Sequence, residues 1–313
     1  MSVTVAIPSY NSSRYLKDAI LSVLNQTSTV DEILIVDDCS TDDSYEIAFE
    51  ASNQNSNIKV FKNEINVGYS KNWNNCLRYS KSEFAILLHS DDLLKMETIE
   101  KQIEYFKENP ETAIVAGQED TIDENGQRII TKQRVDTRVY YPGEIYEFVK
   151  ERGAYIPCSS VMFNMPIIHK VGYFQENVLA TDELYWPKVL QSYPITILGE
   201  SLIYRRRHGG QAEYSDLKNK KREIVGWSIH FKKILDYELR EDKQKDLAQL
   251  IKRKLAYSTA LNISLSAIRY HSSLALAFYY VFHGIKIYPT MIAQKIFWRK
   301  MLQLSLTYFG LRR

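Results

Sequence analysis

The apolar positions of this chain fall into short runs separated by segments with helical spacing. Val3, Val5, Ala6 and Ile7 make a first strand, ended by Pro8. Polar residues 9–13 supply turn and N-cap chemistry. Leu16, Ala19, Ile20, Val23 and Leu24 then recur on one helix face. A second apolar run, 32–36, stops at Asp37-Asp38, and Ser40, Thr41, Asp42 and Asp43 open a helix carrying Tyr45, Ile47, Ala48 and Ala51. A short strand over 58–61, a turn at Asn66-Val67-Gly68-Tyr69 and a helix over 70–79 follow. Residues 84–88 are consecutively apolar, the pattern of a strand buried on both faces, and they stop abruptly at His89-Ser90-Asp91-Asp92. A helix over 96–107, with Ile99, Ile103 and Phe106 in register, is halted by Asn109-Pro110, and a strand over 113–117 succeeds it.

Strands alternating with helices across short turns predict an α/β fold, a Rossmann-like, mostly parallel sheet with helices on both faces. In such sheets ligands bind outside the carboxyl ends of the strands. The ends at Pro8, Asp37-Asp38 and Asp91-Asp92 should therefore gather along one edge. From 120 to 155 the pattern weakens, apart from a hairpin-like turn at Asp123-Glu124-Asn125-Gly126. Beyond it come an expected strand over 157–163, a short helix from Thr181 with Thr181 as its cap, and strands over 195–198 and 202–204. The last runs into Arg205-Arg206-Arg207-His208. After Leu217 the pattern is helical, with candidates over 222–239 and 243–268 and an apolar stretch over 274–282. A stripe of Ile292, Ile296, Phe297, Met301, Leu302 and Leu304 lies beside Lys295, Arg299 and Lys300.

Charge divides the chain further. Its 313 residues hold 40 Lys+Arg and 38 Asp+Glu, but residues 217–313 hold 19 and 6, whereas residues 1–216 hold 21 and 32. After Asp246 come ten basic residues and no acidic one. An acidic body over 1–216 thus precedes a basic, helical region over 217–313, whose charge suits an anionic partner. Cys39, Cys76 and Cys158 show no metal-ligand spacing and read as small buried hydrophobes of a reducing compartment. The first strand begins at once, so no targeting signal is expected, and no uncharged apolar window of 18 residues predicts a spanning helix.

Two adjacent carboxylates at a strand end either hold a divalent cation, and through it a phosphate, or form a solvated turn. Val5-Ala6-Ile7-Pro8-Ser9-Tyr10-Asn11, then Val36-Asp37-Asp38-Cys39-Ser40-Thr41-Asp42, then Asn66-Val67-Gly68, then Ser90-Asp91-Asp92, stand in an order and spacing that resembles the family 2 glycosyltransferases of GT-A fold. The resemblance covers about residues 1–210. It implies that Pro8, Tyr10, Asn11 and Asp38 bind the nucleotide of a sugar donor, with Asp38 on the base. A carboxylate there can accept from an imino N–H, and Tyr10 either stacks or simply packs. Lys71 is either a nucleotide or phosphate contact or a solvated surface lysine. Asp91 and Asp92 correspond to the family's donor-binding and metal-binding aspartates, for Mn²⁺ or Mg²⁺.

Asp182, in an Asp-x-x-x-Trp setting with Trp186, matches the family's catalytic base, and is otherwise a helix-start carboxylate. His208 lies where the family often places a histidine near the phosphates, or else in a basic surface loop. Two positions depart from the family pattern. His89 replaces the first carboxylate of Asp-x-Asp-Asp, as an imidazole ligand or as strand-end packing, and Thr181 replaces the glutamate of Glu-Asp.

The resemblance implies an inverting transfer from a nucleotide-diphosphate sugar, with a UDP-sugar expected, to a hydroxyl of a glycan or lipid-linked acceptor in surface polysaccharide biosynthesis. The alternative is a non-catalytic nucleotide-sugar or glycan-binding protein on the same fold. A nucleotidyltransferase would want a glycine-rich, basic first loop, which Pro8-Ser9-Tyr10-Asn11 is not. Residues 247–313 suit an anionic membrane surface, with a helical cap or dimer interface as the other readings. No nucleic-acid recognition motif accompanies the charge. The expected location is cytoplasmic, peripheral on the inner face of the cell membrane.

Overall fold

The computed structural model describes residues 1–209 apart from Lys132 and Leu179, and beyond them chiefly 241–257 and 274–288, with Ile234, Tyr237, Ala293, 297–299 and 301–302. The elements run β1 (Val3–Ser9), α1 (Leu16–Leu24), β2 (Glu32–Asp37), α2 (Ser44–Gln54), β3 (Ile58–Lys62), α3 (Tyr69–Tyr79), β4 (Phe84–Leu87), β5 (Leu93–Leu94), α4 (Thr98–Glu108), β6 (Ile114–Ile122), β7 (Arg128–Ile130), β8 (Arg138–Tyr140), α5 (Ile145–Arg152), β9 (Met162–Asn164), α6 (Met165–Val171), α7 (Thr181–Leu190) and β10 (Ile195–Arg206). Helices α8 (Glu241–Tyr257) and α9 (Leu274–Ile287) follow. The candidate helix over 222–239 and the stripe from Ile292 to Leu304 lie almost wholly outside the described residues.

The chain forms two compact units. The first is Met1–Ile145 with Ala154–Arg207, and the second is Tyr146–Gly153 with His208–Arg313. The expected boundary at 216/217 falls among residues outside the description.

In the first unit the sheet order is β3-β2-β1-β4-β9-β6-β10-β5. The block β3-β2-β1-β4 is wholly parallel, as the alternation of apolar runs predicts. Val3, Val5 and Ile7 of β1, with Ile33, Ile35, Phe84 and Ile86 in register beside them, face a core shared with Leu16, Ala19, Ile20, Ala48, Ile99 and Phe106 of α1, α2 and α4. Helix α3 packs on β1, β2 and β4 and contributes Cys76 and Leu77, which lie outside that core. Alternate strand residues therefore serve opposite faces.

The second half of the sheet departs from simple alternation. β9 is antiparallel to both β4 and β6, although β6 and β10 are parallel to each other. The expected strand over 157–163 is instead a tight 3₁₀ turn, Cys158–Ser160, followed by the short β9. Residues 195–206 form one long strand rather than two, because shifts of register on either side of Ser201 let β10 continue past the polar interruption. Pro8 lies within β1 rather than ending it, at a position paired with Val36. Thr181 is the first residue of α7, and its hydroxyl donates to the Gln175 carbonyl at 2.6 Å instead of capping the helix.

Gly199 in β10 marks a close backbone approach. Its carbonyl accepts from the Val135 N–H at 2.8 Å, and a Cβ built there would stand 1.6 Å from the Val135 carbonyl oxygen. Backbone cannot swing aside as a side-chain tip can. Gly199→Ala should destabilise the protein by about 1–3 kcal/mol through overpacking, read from chemical denaturation midpoints at unchanged slope. An unaltered midpoint would mean that Val135 does not lie against Gly199.

Candidate active site

The parallel block brings the ends of β2, β1 and β4 to one rim. The Asp38 N–H donates to the Ser9 carbonyl at 2.8 Å and the Leu88 N–H to the Ala6 carbonyl at 2.9 Å, so the ladder continues to the rim itself. Beyond it the loops clamp one another. Asn11 N–H donates to Ser40 Oγ at 3.0 Å, Asn11 Oδ1 accepts from the Thr41 N–H at 2.9 Å, and Ser12 N–H donates to Ser44 Oγ at 2.7 Å. Ser13 N–H donates to Asp42 Oδ2 at 3.0 Å, and the Ser12 and Ser90 hydroxyls share a bond of 2.7 Å. These side chains cross-link three loops. None caps α1, whose N-terminus carries no side-chain cap. Asn11 adopts a left-handed backbone with φ 48°, a conformation asparagine tolerates better than most residues.

Asp38 is buried, and its carboxylate accepts from Asn63 Nδ2 at 2.8 Å and from the N–H groups of Val67 and Gly68, each at 2.9 Å. It therefore fixes the loop that enters α3. A carboxylate offers about four acceptor positions, so one remains for a further donor. Gly68 holds φ +86°, which suits glycine, and its position turns its N–H onto Asp38. Lys71, on the first turn of α3, is exposed, as is Tyr10 at the end of β1.

After β4 the chain carries the charged centre. One ligand atom from each of His89, Asp91 and Asp92 lies within 4.8 Å of the others, an arrangement able to hold a cation. The His89 ring stacks on Trp73 of α3 at 4.8 Å between centroids, and its Nδ1 lies 4.0 Å from Asp92 Oδ2. Asp92 is buried. It accepts from Ser159 Oγ at 2.6 Å and from the Arg206 N–H at 3.0 Å. Burial, and then the neighbouring Asp91 charge, push its carboxyl up to about 8, against the pull of those donors.

Arg206, at the end of β10, is a buried guanidinium that reaches four places. Nε donates to the Asp91 carbonyl at 3.0 Å, and Nη1 to the Asp123 and Glu124 carbonyls at 3.5 and 3.4 Å. Nη2 lies 3.3 Å from Asp18 Oδ2 on α1. The guanidinium carbon lies 4.7 Å from the ring centre of Tyr15. The arginine-rich end of β10 is thus committed internally at Arg206. Its neighbour Arg205 donates to the Tyr155 hydroxyl at 3.1 Å, and that hydroxyl donates to Glu119 at 2.8 Å.

Asp182 stands in the first turn of α7, half-buried. The helix is anchored by aromatic rings: Trp186 stacks with Phe163 of β9 at 6.2 Å, and Tyr185 meets Phe174 at 4.4 Å. The Tyr185 hydroxyl donates to the Gly172 carbonyl at 2.7 Å. Ala180, just before the helix, is held left-handed at φ 45°, a strained state for alanine. Burial drives the Cys158 thiol well above its usual range, and the charges of Asp182 and Asp92 push it further. Both carboxylates therefore act on the same 3₁₀ turn, the one that also presents Ser159 to Asp92. Burial raises the Tyr155 hydroxyl as well, with Asp182 among the charges that add to it.

In the first unit Asp92 thus bonds to the turn at 158–160, whose Cys158 also feels the charge of Asp182, and Asp91 adjoins Asp92, with Tyr10 and Asp38 at the ends of the neighbouring β1 and β2. His208 is the first residue of the second unit's longer segment. Trp73, Ser159, Tyr155, Glu119 and Arg206 were not singled out by the sequence; the run of three arginines was the available signal for the last.

With this geometry in hand, the comparisons are specific. Residues 4–170 match the family described as Glycosyl transferase family 2. A Haemophilus influenzae protein named as an uncharacterized glycosyltransferase is 24% identical over 304 residues, covering 87% of this chain and 92% of its own. The putative teichuronic acid biosynthesis glycosyltransferase TuaG of Bacillus subtilis is 37% identical over 106 residues, 34% of this chain and 42% of TuaG. The crystal structure of Staphylococcus aureus TarS 1-349 in complex with UDP superposes with a TM-score of 0.62 at 20% identity, over 93% of this chain and 90% of that one, a likeness of fold. A family match spanning more than half of the chain, on a rim built from the same motifs, makes this protein a member of glycosyl transferase family 2.

Proposed function

We propose that this glycosyltransferase moves a sugar from a nucleotide-diphosphate donor, a UDP-sugar, to a hydroxyl of a glycan or lipid-linked acceptor, with inversion, in surface polysaccharide synthesis. The observation that carries the reading is the grouping of Asp91 and Asp92 with His89 at the end of β4, beside the rim where β1 and β2 end in Tyr10 and Asp38. Related folds crystallised with UDP and with UDP-GlcNAc support the donor class. The relative named for teichuronic acid biosynthesis supports the acceptor class.

The residues fit a divalent cation. Two adjacent carboxylates, one of them buried and reluctant to ionise, sit with an imidazole at near-ligand spacing. Oxygen donors suit Mg²⁺ or Mn²⁺, and a nitrogen donor inclines the set toward Mn²⁺. A bound cation would supply charge to the leaving diphosphate. Tyr10 offers a stacking face to the base, Asp38 its remaining acceptor position, and Lys71 is a proposed phosphate contact. Asp182 takes the proton of the acceptor hydroxyl as its oxygen attacks the anomeric carbon, and the diphosphate leaves from the opposite side. A single base suffices, since no glycosyl-enzyme has to form.

Asp182→Asn should reduce transfer by about 10²–10⁴-fold while the melting-point rise caused by UDP persists. Transfer at the wild-type rate would remove Asp182 as the base. A panel of nucleotide-sugars, scored by thermal shift with and without Mn²⁺, should show one uridine donor raising the melting point only when the cation is present. Loss of that cation-dependent shift in Asp91→Asn is the expected companion result; a full shift in the variant would place the cation elsewhere. Binding without donor turnover or hydrolysis would favour the non-catalytic reading.

Arg206→Met keeps much of the volume but removes the hydrogen bonds that hold the Asp91 carbonyl and the 123–124 turn. It should cost about 3 kcal/mol of stability and weaken Mn²⁺ binding measured by calorimetry. Unchanged values of both would show that Arg206 does not position the Asp91 loop.

A further inference from the structure

Helix α3 grips a second stretch of chain besides the loop at Asp38. Ser70, Asn74 and Arg78 recur at i, i+4 and i+8, one face of the helix. All three reach residues 174–177, which lie 98 to 107 positions further along the chain. Asn74 is buried, and its amide is spent on that stretch. Oδ1 accepts from the Phe174 N–H at 3.0 Å, while Nδ2 donates to the Phe174 carbonyl at 2.9 Å and to Glu176 Oε1 at 3.0 Å. An amide bonded to both the N–H and the carbonyl of one residue fixes it as a paired strand would. Around this grip, Arg78 Nη2 lies 3.4 Å from the same Glu176 oxygen, Ser70 Oγ accepts from the Asn177 N–H at 3.3 Å, and the Tyr69 hydroxyl donates to the Val178 carbonyl at 2.8 Å.

The stretch so held leads into α7. The Thr181 hydroxyl closes it by donating to the Gln175 carbonyl at 2.6 Å, and Asp182 is the next residue. The Phe174 ring stands between the two helices, its centre 5.6 Å from Trp73 of α3 and 4.4 and 5.9 Å from Tyr185 and Trp186 of α7. Residues 172–178 form neither helix nor strand, and the backbone is left-handed at Asn177, φ 59°, and at Ala180, φ 45°. A left-handed alanine persists only where its surroundings over-determine it. Hydrogen bonds to particular backbone atoms do that. A buried amide costs free energy unless it is paired, so a clamp of this kind admits one geometry of the chain it holds. Here that chain is the entry to the turn that carries Asp182.

We infer that Asn74 is a positioning residue of the transfer reaction: by gripping Phe174 it sets the entry into α7 and with it the place of Asp182. This role rests on Asp182 being the base, as proposed above, and adds what holds that base in place.

Asn74→Ser shortens the side chain and releases Phe174. With a panel of UDP-sugars, Mn²⁺ and water as the acceptor, its kcat for UDP release should fall about 10–100-fold, while the donor KM and the melting-point rise caused by UDP stay at wild-type values. Added to Asp182→Asn, it should lower the rate no further than Asp182→Asn alone, because a residue that acts through another then has nothing left to place. Tyr69→Phe with Ser70→Ala removes two bonds to 177–178 and leaves Asn74 intact, so it decides the matter if Asn74→Ser fails to fold. It should lower kcat about threefold or more, again at unchanged KM. Wild-type kcat in these variants would overturn the positioning role. So would a joint loss of kcat, donor affinity and UDP shift, which general destabilisation would give, or a multiplied loss when Asn74→Ser is added to Asp182→Asn. If Asp182→Asn is inactive while the α3 variants keep the wild-type rate, the positioning role falls and the base stands; Asp182→Asn at the wild-type rate removes both.

Discussion

The buried guanidinium of Arg206 is the interaction on which the charged rim depends. Its chain neighbours lie at the far end of the first unit, yet its partners come from α1, from the loop after β4 and from the 123–124 turn. The same residue's backbone N–H is one of the two donors that hold Asp92. A cation buried at this point lets two carboxylates and a strand end approach where like charges alone would separate them. The arrangement remains tense. Burial and then the Asp91 charge push the Asp92 carboxyl upward, so the cluster gains from a positive partner. The electrostatics that make this corner costly are those the proposed divalent ion would relieve.

Around that centre, most of the polar residues of the four motifs are engaged with one another. Asp37 accepts from the N–H and hydroxyl of Ser40, Asp42 from Ser44 and Ser13, Asn11 from Thr41, and Asp38 from the 63–68 loop. These bonds fix loop geometry before any ligand arrives, which is what a site must do if binding is not to be spent on ordering it. A motif that looks like a list of ligand contacts is therefore largely a scaffold. Among the proposed site residues, Tyr10 on the rim and Lys71 on α3 are exposed, and Asp91 and Asp182 are half-buried.

What the sequence made legible follows from the same distinction. The block β1 to β4 is readable because each strand pairs in parallel with a near neighbour in the chain, and apolar runs report burial on both faces. The shared rim follows at once from parallel direction. The second half resists reading because β9, three residues long, is inserted between β4 and β6 in the opposite direction, and because β10 carries its polar interruption through as a register shift. Neither leaves a periodic signal. Arg206 is invisible for another reason: one of its partners, Asp18, is 188 residues away, and a buried arginine looks like a surface one until its acceptors are known. Asp182 was singled out by its resemblance to the family's catalytic base, in a setting with Trp186. The structure explains that spacing, since the tryptophan is the buried ring that fixes the helix whose first turn carries the carboxylate.

His89 is the position where this chain's own chemistry differs most from the pattern it resembles. A third carboxylate there would add negative charge to a body that already holds 32 acidic against 21 basic residues over 1–216, and whose proposed donor is itself an anionic diphosphate. An imidazole adds no negative charge, so the carboxylates that a divalent cation would meet here are Asp91 and Asp92. The ring is also oriented in advance, because stacking on Trp73 sets its plane while Nδ1 faces Asp92. Trp73 belongs to α3, and Asp38 holds the loop that starts α3, so the loop on the base side and the imidazole on the cation side hang from one helix. On the proposed reading, occupying either end of the donor site stiffens that helix. Cation and nucleotide should then bind more tightly together than apart, by mutual ordering as well as by direct attraction.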